Sequence, residues 1–538
     1  MDIRNYDKEI DISTRTIKGE FYTPKLWVDY THTYINNTLQ YEWYNNIVWD
    51  CAWGTGNLTR DYKFKELYAS TLKETDLIMA LDNNTDSSKF QFDFLNDSLE
   101  HLEQINNKLF NKLIELDNLI FFINPPYATA NKNKNQEIDK NGLSFTVTSN
   151  DMKKNNWGGT GQLYTQFLYR ITEIKNYFKI KNVKILLFSP PLFLTGDSFK
   201  NFRSKFLKEF SFIKGFIFNA TEFNDIDSEW GLTFSIWESG INTNNEFKFD
   251  ILLNDNGNIK SKGSKILYNL DGKETFSSYM RDPIKKYKKI NISPSFKSAL
   301  NYTFDNKKSK VVDNFIGVLN SQGNNIKENN QSVALFSYSG SKIGTIPIVE
   351  DNLLRCVVNF TSRRIITGKK ATWYNWYDEY MSPIENTEYD IWSKECLVYS
   401  LFNLKSNQSS LKIKKDDGEI IRIENNFFWI KPEDLNIKIN EKRYIANYLD
   451  INYDNLSKES KDILNFTKDI ILKTLNNRLL YHKNNPQHHL NCWDAGWYQI
   501  KLLLNEYDSN LIKDFNILYK KLENYIEPGI YDFGILKK

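Results

Sequence analysis

Asn124-Pro125-Pro126-Tyr127 closes the apolar run Leu119–Ile123, so it stands where a buried strand meets solvent. The two prolines supply no N–H and fix φ, which takes the chain rigidly out of strand pairing and aims its carbonyls outward. The amide oxygen of Asn124 and the backbone oxygen of Pro125 can then accept both hydrogens of a planar exocyclic amine. That draws the nitrogen toward a tetrahedral, nucleophilic geometry. Tyr127 offers a face on which a base can stack. The plain structural reading of the same four residues is a proline-terminated strand and a loop.

Three more groups of residues fit a ligand beside that amine. Asp50-Cys51-Ala52-Trp53-Gly54-Thr55-Gly56-Asn57 directly follows the apolar run Ile47–Trp49. Glycines between a strand and a helix let a ligand approach the backbone, although such a turn is also common without one. No lysine follows as in a phosphate loop, and Arg60 and Asp61 stand where a dinucleotide fingerprint has its third glycine, which disfavours phosphates. Asp50 at the strand tip, beside Ala52 and the glycines, suits a zwitterionic amino-acid tail. Farther on, in Phe92-Asp93-Phe94-Leu95, Asp93 can accept from an adenine amino group while Phe94 stacks on the ring; the structural alternatives are a helix cap and core packing. Gly19-Glu20-Phe21-Tyr22-Thr23-Pro24 precedes a helix, with Thr23 as the expected cap and Pro24 in its first turn. Three of these four motifs fall at the ends of successive strands, and ligands of such sheets collect at the carboxyl edge.

The elements that must position these residues are legible in the same pattern. Ile47–Trp49, Leu67–Ser70, Phe90–Phe92, Leu119–Ile123, Val183–Phe188 and Leu232–Trp237 alternate with helical patterns, which predicts an α/β, Rossmann-like doubly wound sheet. Leu163, Phe167, Leu168, Ile171, Ile174 and Phe178 keep the spacing of a helix that packs one face on that sheet. Between Ala128 and Gly161 the composition predicts a loop without a core of its own. Beyond about residue 275 short β-like runs follow (Val333–Tyr338, Val357–Phe360, Leu397–Phe402, Asn426–Ile430), and helical periodicity returns through Ile463–Arg478 and Leu511–Ile526. We expect a catalytic domain over 1–275, a mixed α+β domain over 276–435 and a helical region over 436–538.

Composition sets bounds. A chain of 538 residues, 41% hydrophobic and 15% aromatic, can bury full cores and is not generally disordered. Its net charge of +3 says nothing about nucleic acid, so any basic surface must be local. The four cysteines form no CxxC pair, which indicates neither a zinc ribbon nor a disulfide framework. His488, His489 and Cys492 lie within five residues but lack a fourth ligand, so no metal is expected. The polar start of the chain and the lack of an apolar run of 18 residues lead us to expect a cytoplasmic protein.

Taken in order, GEFYTP, DCAWGTGN, FDFL and NPPY make the chain resemble the gamma arrangement of S-adenosylmethionine-dependent adenine-N6 DNA methyltransferases, closely over residues 15–240. STLKETD, FQFDFLND and the C-terminal IEPGIYDFGILKK resemble, more narrowly, enzymes of restriction-modification loci and mobile elements. The resemblance implies S-adenosyl-L-methionine as cofactor, with Phe21, Thr23, Asp50, Ala52, Gly54 and Gly56 around its methionine part. It gives Asp93 and Phe94 to its adenine, and Asn124, Pro125, Pro126 and Tyr127 to a flipped target adenine. A second aromatic against that base is expected before the strand LTFSIWE; Phe223 is nominated, with Phe218 and Trp230 as rivals. Two positions depart from the pattern. Trp53 replaces a small residue and is expected to crowd or stack on the cofactor. Thr71 stands where a ribose-binding acid belongs, with Glu74 as substitute.

For sequence reading on double-stranded DNA the best candidate is Thr361–Trp376, where Arg363, Arg364, Lys369 and Lys370 precede Trp373. A solvated basic loop beside a core tryptophan is the structural alternative. A monomer is expected, with a separate cognate restriction endonuclease as a candidate partner and no nuclease module in the chain itself. The competing functions are methylation of RNA or of a protein glutamine, and a non-catalytic DNA-binding specificity subunit that keeps the fold.

Overall fold

Five consecutive apolar residues after Asn118 can all be buried only if both faces of their strand are covered, and this is how they are found. The computed structural model describes residues 22–537 apart from 81, 128–145, 224, 225, 227, 294, 297–303, 306–308, 330–332, 341–343, 415–417 and 440–442. It divides into two compact units, Met1–Asp271 with Thr372–Asp378, and Gly272–Ala371 with Glu379–Lys538.

The first unit is built on nine strands: β1 (Ile47–Asp50), β2 (Glu66–Thr71), β3 (Ser88–Gln91), β4 (Asn118–Ile123), β5 (Asn182–Ser189), β6 (Phe210–Asn219), β7 (Gly231–Ser239), β8 (Glu246–Asp255) and β9 (Asn258–Tyr268). They lie in the order β3-β2-β1-β4-β5-β7-β6-β8-β9. Strands β1 to β5 are parallel, and β7 runs against both β5 and β6. This is the doubly wound, Rossmann-like sheet predicted from the alternation of apolar runs.

Side chains alternate across it. Leu119, Phe121 and Ile123 join a core with Leu168 and Ile171 of the helix Leu163–Tyr177, while Ile120 and Phe122 join a second core with Trp27 and Ile35 of the helix Lys25–Leu39. Each such residue contributes about 1.5–3 kcal/mol by leaving water, so five together pin the register of β4 and the exit of the chain at Asn124. The sheet reverses its winding between β1 and β4, whose pairing of Trp49 with Phe121 sends Asp50 and Asn124 out at the same edge.

The second unit carries a four-stranded sheet in the order Thr345–Ile348, Gly317–Ser321, Val333–Phe336, Ser406–Asn407. Val357–Phe360 and Leu397–Phe402, read as β-like, instead belong to or end the helices Leu353–Ile365 and Thr387–Leu401. Asn426–Ile430 forms no strand. Leu319 and Leu335 of the sheet share one core with Val357, Leu397, Ile463 and Leu522, so the stretches 276–435 and 436–538 are packed together. The predicted helical stretches appear as Lys458–Thr474 with Arg478–Asn484, and as Ser509–Asp532. Of the predicted loop Ala128–Gly161, residues 128–145 lie outside the described ones, and Val147–Lys154 is a helix with Met152 buried. Among the described residues no helix is long and apolar enough to cross a membrane.

Candidate active site

The helix Lys25–Leu39 starts one residue later than a cap at Thr23 would place it. Pro24 itself is the N-cap residue, with φ −60° and ψ 145°, and no side chain caps the helix. Thr23, expected as the cap, is buried and turned elsewhere. Its Oγ1 accepts a hydrogen bond of 3.0 Å from Nδ2 of Asn124. The other end of the same amide, Oδ1, accepts from the hydroxyl of Tyr127. The three side chains thus form a chain of hydrogen bonds at the end of β4.

Tyr127 is half-buried, and its ring meets Trp230 edge to face, 6.2 Å between centroids at 87°. Phe223, nominated to stack on a base, is instead in the core: it stacks on Phe218 (6.0 Å, 24°), which stacks on Trp27 (4.1 Å, 23°). Three rings committed to each other are not offered to a ligand. Trp230, a rival on sequence grounds, is the aromatic beside Tyr127.

At the end of β1, Asp50 is 1% exposed, and burial pushes its carboxyl up to about 8. The Ala52 N–H, 3.2 Å from Oδ1, opposes this only in part. Gly54 and Gly56 follow with φ of +54° and +83°. A Cβ at Gly56 would stand 2.9 Å from the Trp53 indole, so glycine is required there by both conformation and space. Trp53 is consumed by the fold rather than turned to a ligand: its N–H donates to Thr59 Oγ1 at 3.0 Å and its ring packs with Ala69 and Ala80. Trp53, expected to crowd or stack on the cofactor, is thus 3% exposed with its indole packed inside the first unit. Phe21, Gly19 and Glu20 lie outside the described residues, and Tyr22 stands 3.9 Å from the place a Gly54 Cβ would take.

Thr71 ends β2 buried, and its hydroxyl donates to Asp76 Oδ2 at 2.9 Å. The acid missing from the strand end is thus present five residues on, while Glu74 is exposed. Leu72, which sequence reasoning passed over, is 57% exposed and lines a depression of about 630 Å³ with Phe90, Gln91, Asp93 and Asp97. An apolar residue directly after a strand end, facing solvent, is the signal that could have found it. Asp93 itself caps the following turn, accepting from the N–H groups of Leu95 (3.1 Å) and Asn96 (3.2 Å) through Oδ1 and from Asn96 Nδ2 (2.8 Å) through Oδ2. Phe94 is buried and stacked on Phe167 (5.2 Å, 17°), which corrects its expected stacking on a cofactor ring.

The residues expected to meet DNA fare differently. Arg363 is 1% exposed on the helix Leu353–Ile365, donating to Ser321 Oγ and to the carbonyls of Gln322 and Gly323. An enclosed guanidinium with three such acceptors holds its own unit together and is not a groove contact. Arg364 is half-buried, Lys370 pairs with Glu523 (3.1 Å) and Glu527 (2.6 Å), and the Lys369 side chain lies outside the described ones. Trp373 belongs to the first unit, where it is buried in the core that holds Ile217 and Trp237. His488 pairs with the Tyr481 hydroxyl at 2.8 Å, and among the described residues no group of histidine, cysteine and acidic side chains could hold a metal ion.

No family model matches the chain, and no curated protein matches it. Among solved structures it is similar to the DrdV–DNA complex, at 16% identity over 48% of this chain and 32% of that one, with a TM-score of 0.36. It is also similar to the ATP-dependent Type ISP restriction-modification enzyme LlaBIII bound to DNA, at 11% over 80% and 43% with a TM-score of 0.37. A third is a candidate class I S-adenosylmethionine-dependent methyltransferase of Listeria monocytogenes, at 13% over 41% and 61% with a TM-score of 0.28. The chain spans between about a third and three-fifths of these chains. The fold assignment rests on the strand order itself.

Proposed function

We propose that the first unit transfers a methyl group from S-adenosyl-L-methionine to the N6 amino group of an adenine flipped out of duplex DNA. One observation carries the reading: the amide of Asn124 leaves β4 at the point where the sheet reverses its winding, beside the buried Asp50 and the glycine turn of β1.

The cofactor fits these residues. Gly54, where an added Cβ would meet only Tyr22 at 3.9 Å, leaves the backbone open to a ligand, and among the described residues only the Ala52 N–H answers the buried Asp50 carboxyl, so a cationic ligand group would compensate it. Asp50, Gly54, Gly56, Leu72 and Asp93 would hold it, with Asp76 behind Thr71 in place of the acid absent from the strand end. Bound there, the cofactor supplies an electrophilic methyl group.

The chain's own part is to orient the amine. Asn124 Oδ1 and the Pro125 carbonyl accept its two hydrogens, which turns the nitrogen lone pair away from the ring and toward the acceptor of the electrons. Fixed acceptors of this kind act through positioning and preorganised electrostatics. Extruding the base costs a few kcal/mol. Tyr127 and Trp230 offset part of this by stacking, about 1–3 kcal/mol per aromatic contact. The second unit is the proposed reader of the DNA, with Arg364 and Lys369 as its remaining cationic candidates.

The test is transfer of labelled methyl to unmethylated genomic DNA, total RNA and a protein extract in parallel, with the nucleosides and amino acids separated afterwards. Label in N6-methyldeoxyadenosine alone supports the proposal. Label in RNA or glutamine, with none in DNA, overturns it.

A further inference from the structure

The sheet edge that carries Asn124 also carries a projection. Ile123 pairs with Leu187, Leu187 with Ser235, Ser235 with Gly215 and Gly215 with Phe249, so these residues form one row from β4 to β8. Asn124 stands one residue past that row. Strand β8 runs the same way as β4, but it continues to Asp255 before the chain turns back into β9. At about 3.3 Å per residue the turn lies about 17 Å beyond the level of Asn124, and four strand spacings, about 19 Å, to its side. We infer that this arm, Leu253–Lys262, is a binding surface for the duplex DNA that flanks the flipped base. The inference rests on the proposed methylation of an adenine at Asn124 and adds a second contact to it.

The arm is built to hold its direction. Asn256 and Gly257 have φ of +51° and +88°, the left-handed pair whose twist matches the strands of a two-residue hairpin. The Gly257 N–H donates to Asn254 Oδ1 at 2.8 Å. The other end of that amide, Nδ2, donates to Glu222 Oε2 at 2.8 Å, and the same oxygen accepts from the Trp27 indole at 3.1 Å. A two-stranded ribbon by itself is marginal in water, so this brace, together with Ile259 packed against the core of Trp27, fixes it. The tip gains no burial in return: Asp255, Asn256, Gly257 and Asn258 are all exposed.

The side chains held out are those that meet nucleic acid. Leu253 pairs with Lys260, and a shift of register after Ile251 leaves Lys262 as the extra residue of a bulge. Both lysines are exposed. Lys262 Nζ lies 5.0 Å over the Tyr374 ring, and Lys260 pairs with Asp255 at 2.5 Å with both side chains more than half exposed. An exposed pair of this kind is weak and is readily exchanged for a phosphate. The major groove of B-DNA, about 12 Å wide, admits a two-stranded ribbon; lysine meets the phosphates beside it, and asparagine can pair with an adenine edge within it. The corresponding groove of double-stranded RNA is too narrow. A point about 19 Å from the flipped base is about five to six base pairs along the duplex.

The test is binding of the full-length wild type and of Lys260→Ala with Lys262→Ala to a labelled DNA duplex of mixed sequence, read by fluorescence anisotropy over a series of KCl concentrations. Double-stranded RNA of the same sequence is titrated in parallel. We expect the double variant to bind the DNA on the order of tenfold more weakly, with the slope of log affinity against log salt smaller by about 1.8, or about 0.9 for each lost phosphate contact. Lys248→Ala, exposed on β8 but short of the Phe249 row, should change neither. Thermal melting should be unchanged throughout, because the substituted side chains are exposed. Unchanged affinity and slope in the double variant would overturn the inference, as would an equal loss in Lys248→Ala or a loss confined to RNA. A wild type that binds no duplex would overturn it as well. Duplex binding without methyl transfer to any DNA would instead overturn the functional reading, and the slopes would still decide whether the arm meets the duplex.

Discussion

Trp230 meets Tyr127 edge to face at 6.2 Å, whereas Phe223, seven residues earlier, is buried in a stack with Phe218 and Trp27. The two aromatics should therefore fail differently. Trp230→Ala is expected to weaken base capture by about 1–3 kcal/mol at little cost in stability. Phe223→Ala is expected to cost about 3–5 kcal/mol of folding stability. Urea denaturation of both, beside fluorescence of 2-aminopurine placed at the target adenine, reads the two effects separately.

Asp50 should make cofactor binding depend on pH. Its carboxyl is raised to about 8 in the folded chain, against an ordinary value near 4, because burial penalises the charge. In the unfolded chain it ionises first, so its contribution to stability is lost as pH rises from about 4 to 8. A cationic ligand favours the ionised form and must displace the proton below pH 8. Apparent affinity for S-adenosylmethionine should thus rise toward about tenfold per pH unit up to about 8 and then level off. Calorimetric titration from pH 6 to 9 checks this, and Asp50→Asn should remove the dependence.

His32 should make the first unit acid-sensitive. The ring stacks on Tyr62 (3.4 Å, 5°), with Nε2 2.8 Å from the Leu58 carbonyl and Nδ1 2.8 Å from the Tyr44 hydroxyl. Burial pushes its pKa down to about 4, so the folded chain holds it neutral while the unfolded chain protonates it near 6.5. Stability is full above pH 6.5 and falls as pH drops toward 4, by about 2 kcal/mol at pH 5. His32→Gln should flatten that part of the stability profile in denaturant titrations at pH 7 and pH 5, whatever it costs at neutral pH.

Lys265 and Asp378 are both buried and paired, and Asp378 comes from the segment Thr372–Asp378 that completes the first unit. Burial holds the Asp378 carboxyl up at about 6 even against that lysine. Removing one partner strands the other, so Asp378→Ala should destabilise by about 3–5 kcal/mol, and Lys265→Met with Asp378→Leu together by much less. A double-mutant cycle by thermal unfolding measures this. A chain cut after Asp271 lacks this completing segment and should be digested by protease far faster than the full chain.

Much of the site was legible because its chemistry sits at strand ends. An apolar run that stops at Asn-Pro-Pro-Tyr, and another that stops at Asp50 before two glycines, place their residues without knowledge of anything distant. What was misread depends on contacts far along the chain. Whether an arginine beside another faces a groove or a core is a question of helix phase and neighbours, and Arg363 found its acceptors some 40 residues upstream. Phe223 and Phe94 have the right type and place for stacking but were claimed by Phe218 and Phe167. Val357–Phe360 and Leu397–Phe402 are short apolar runs, which periodicity alone does not divide between buried strand and buried helix. The bond between Thr23 and Asn124 overrides a local preference for capping, and no local pattern announces it.

In the proposed reaction the Asn124 amide orients an adenine amine for methylation. Single-molecule sequencing of DNA from cells that lack other adenine methylation, expressing either the wild type or Asn124→Ala, tests it most directly. We expect one sequence motif carrying N6-methyladenine in the wild-type sample and none in the variant, with both proteins folded. Methylation that survives in Asn124→Ala, or its absence from the wild-type sample, would contradict it.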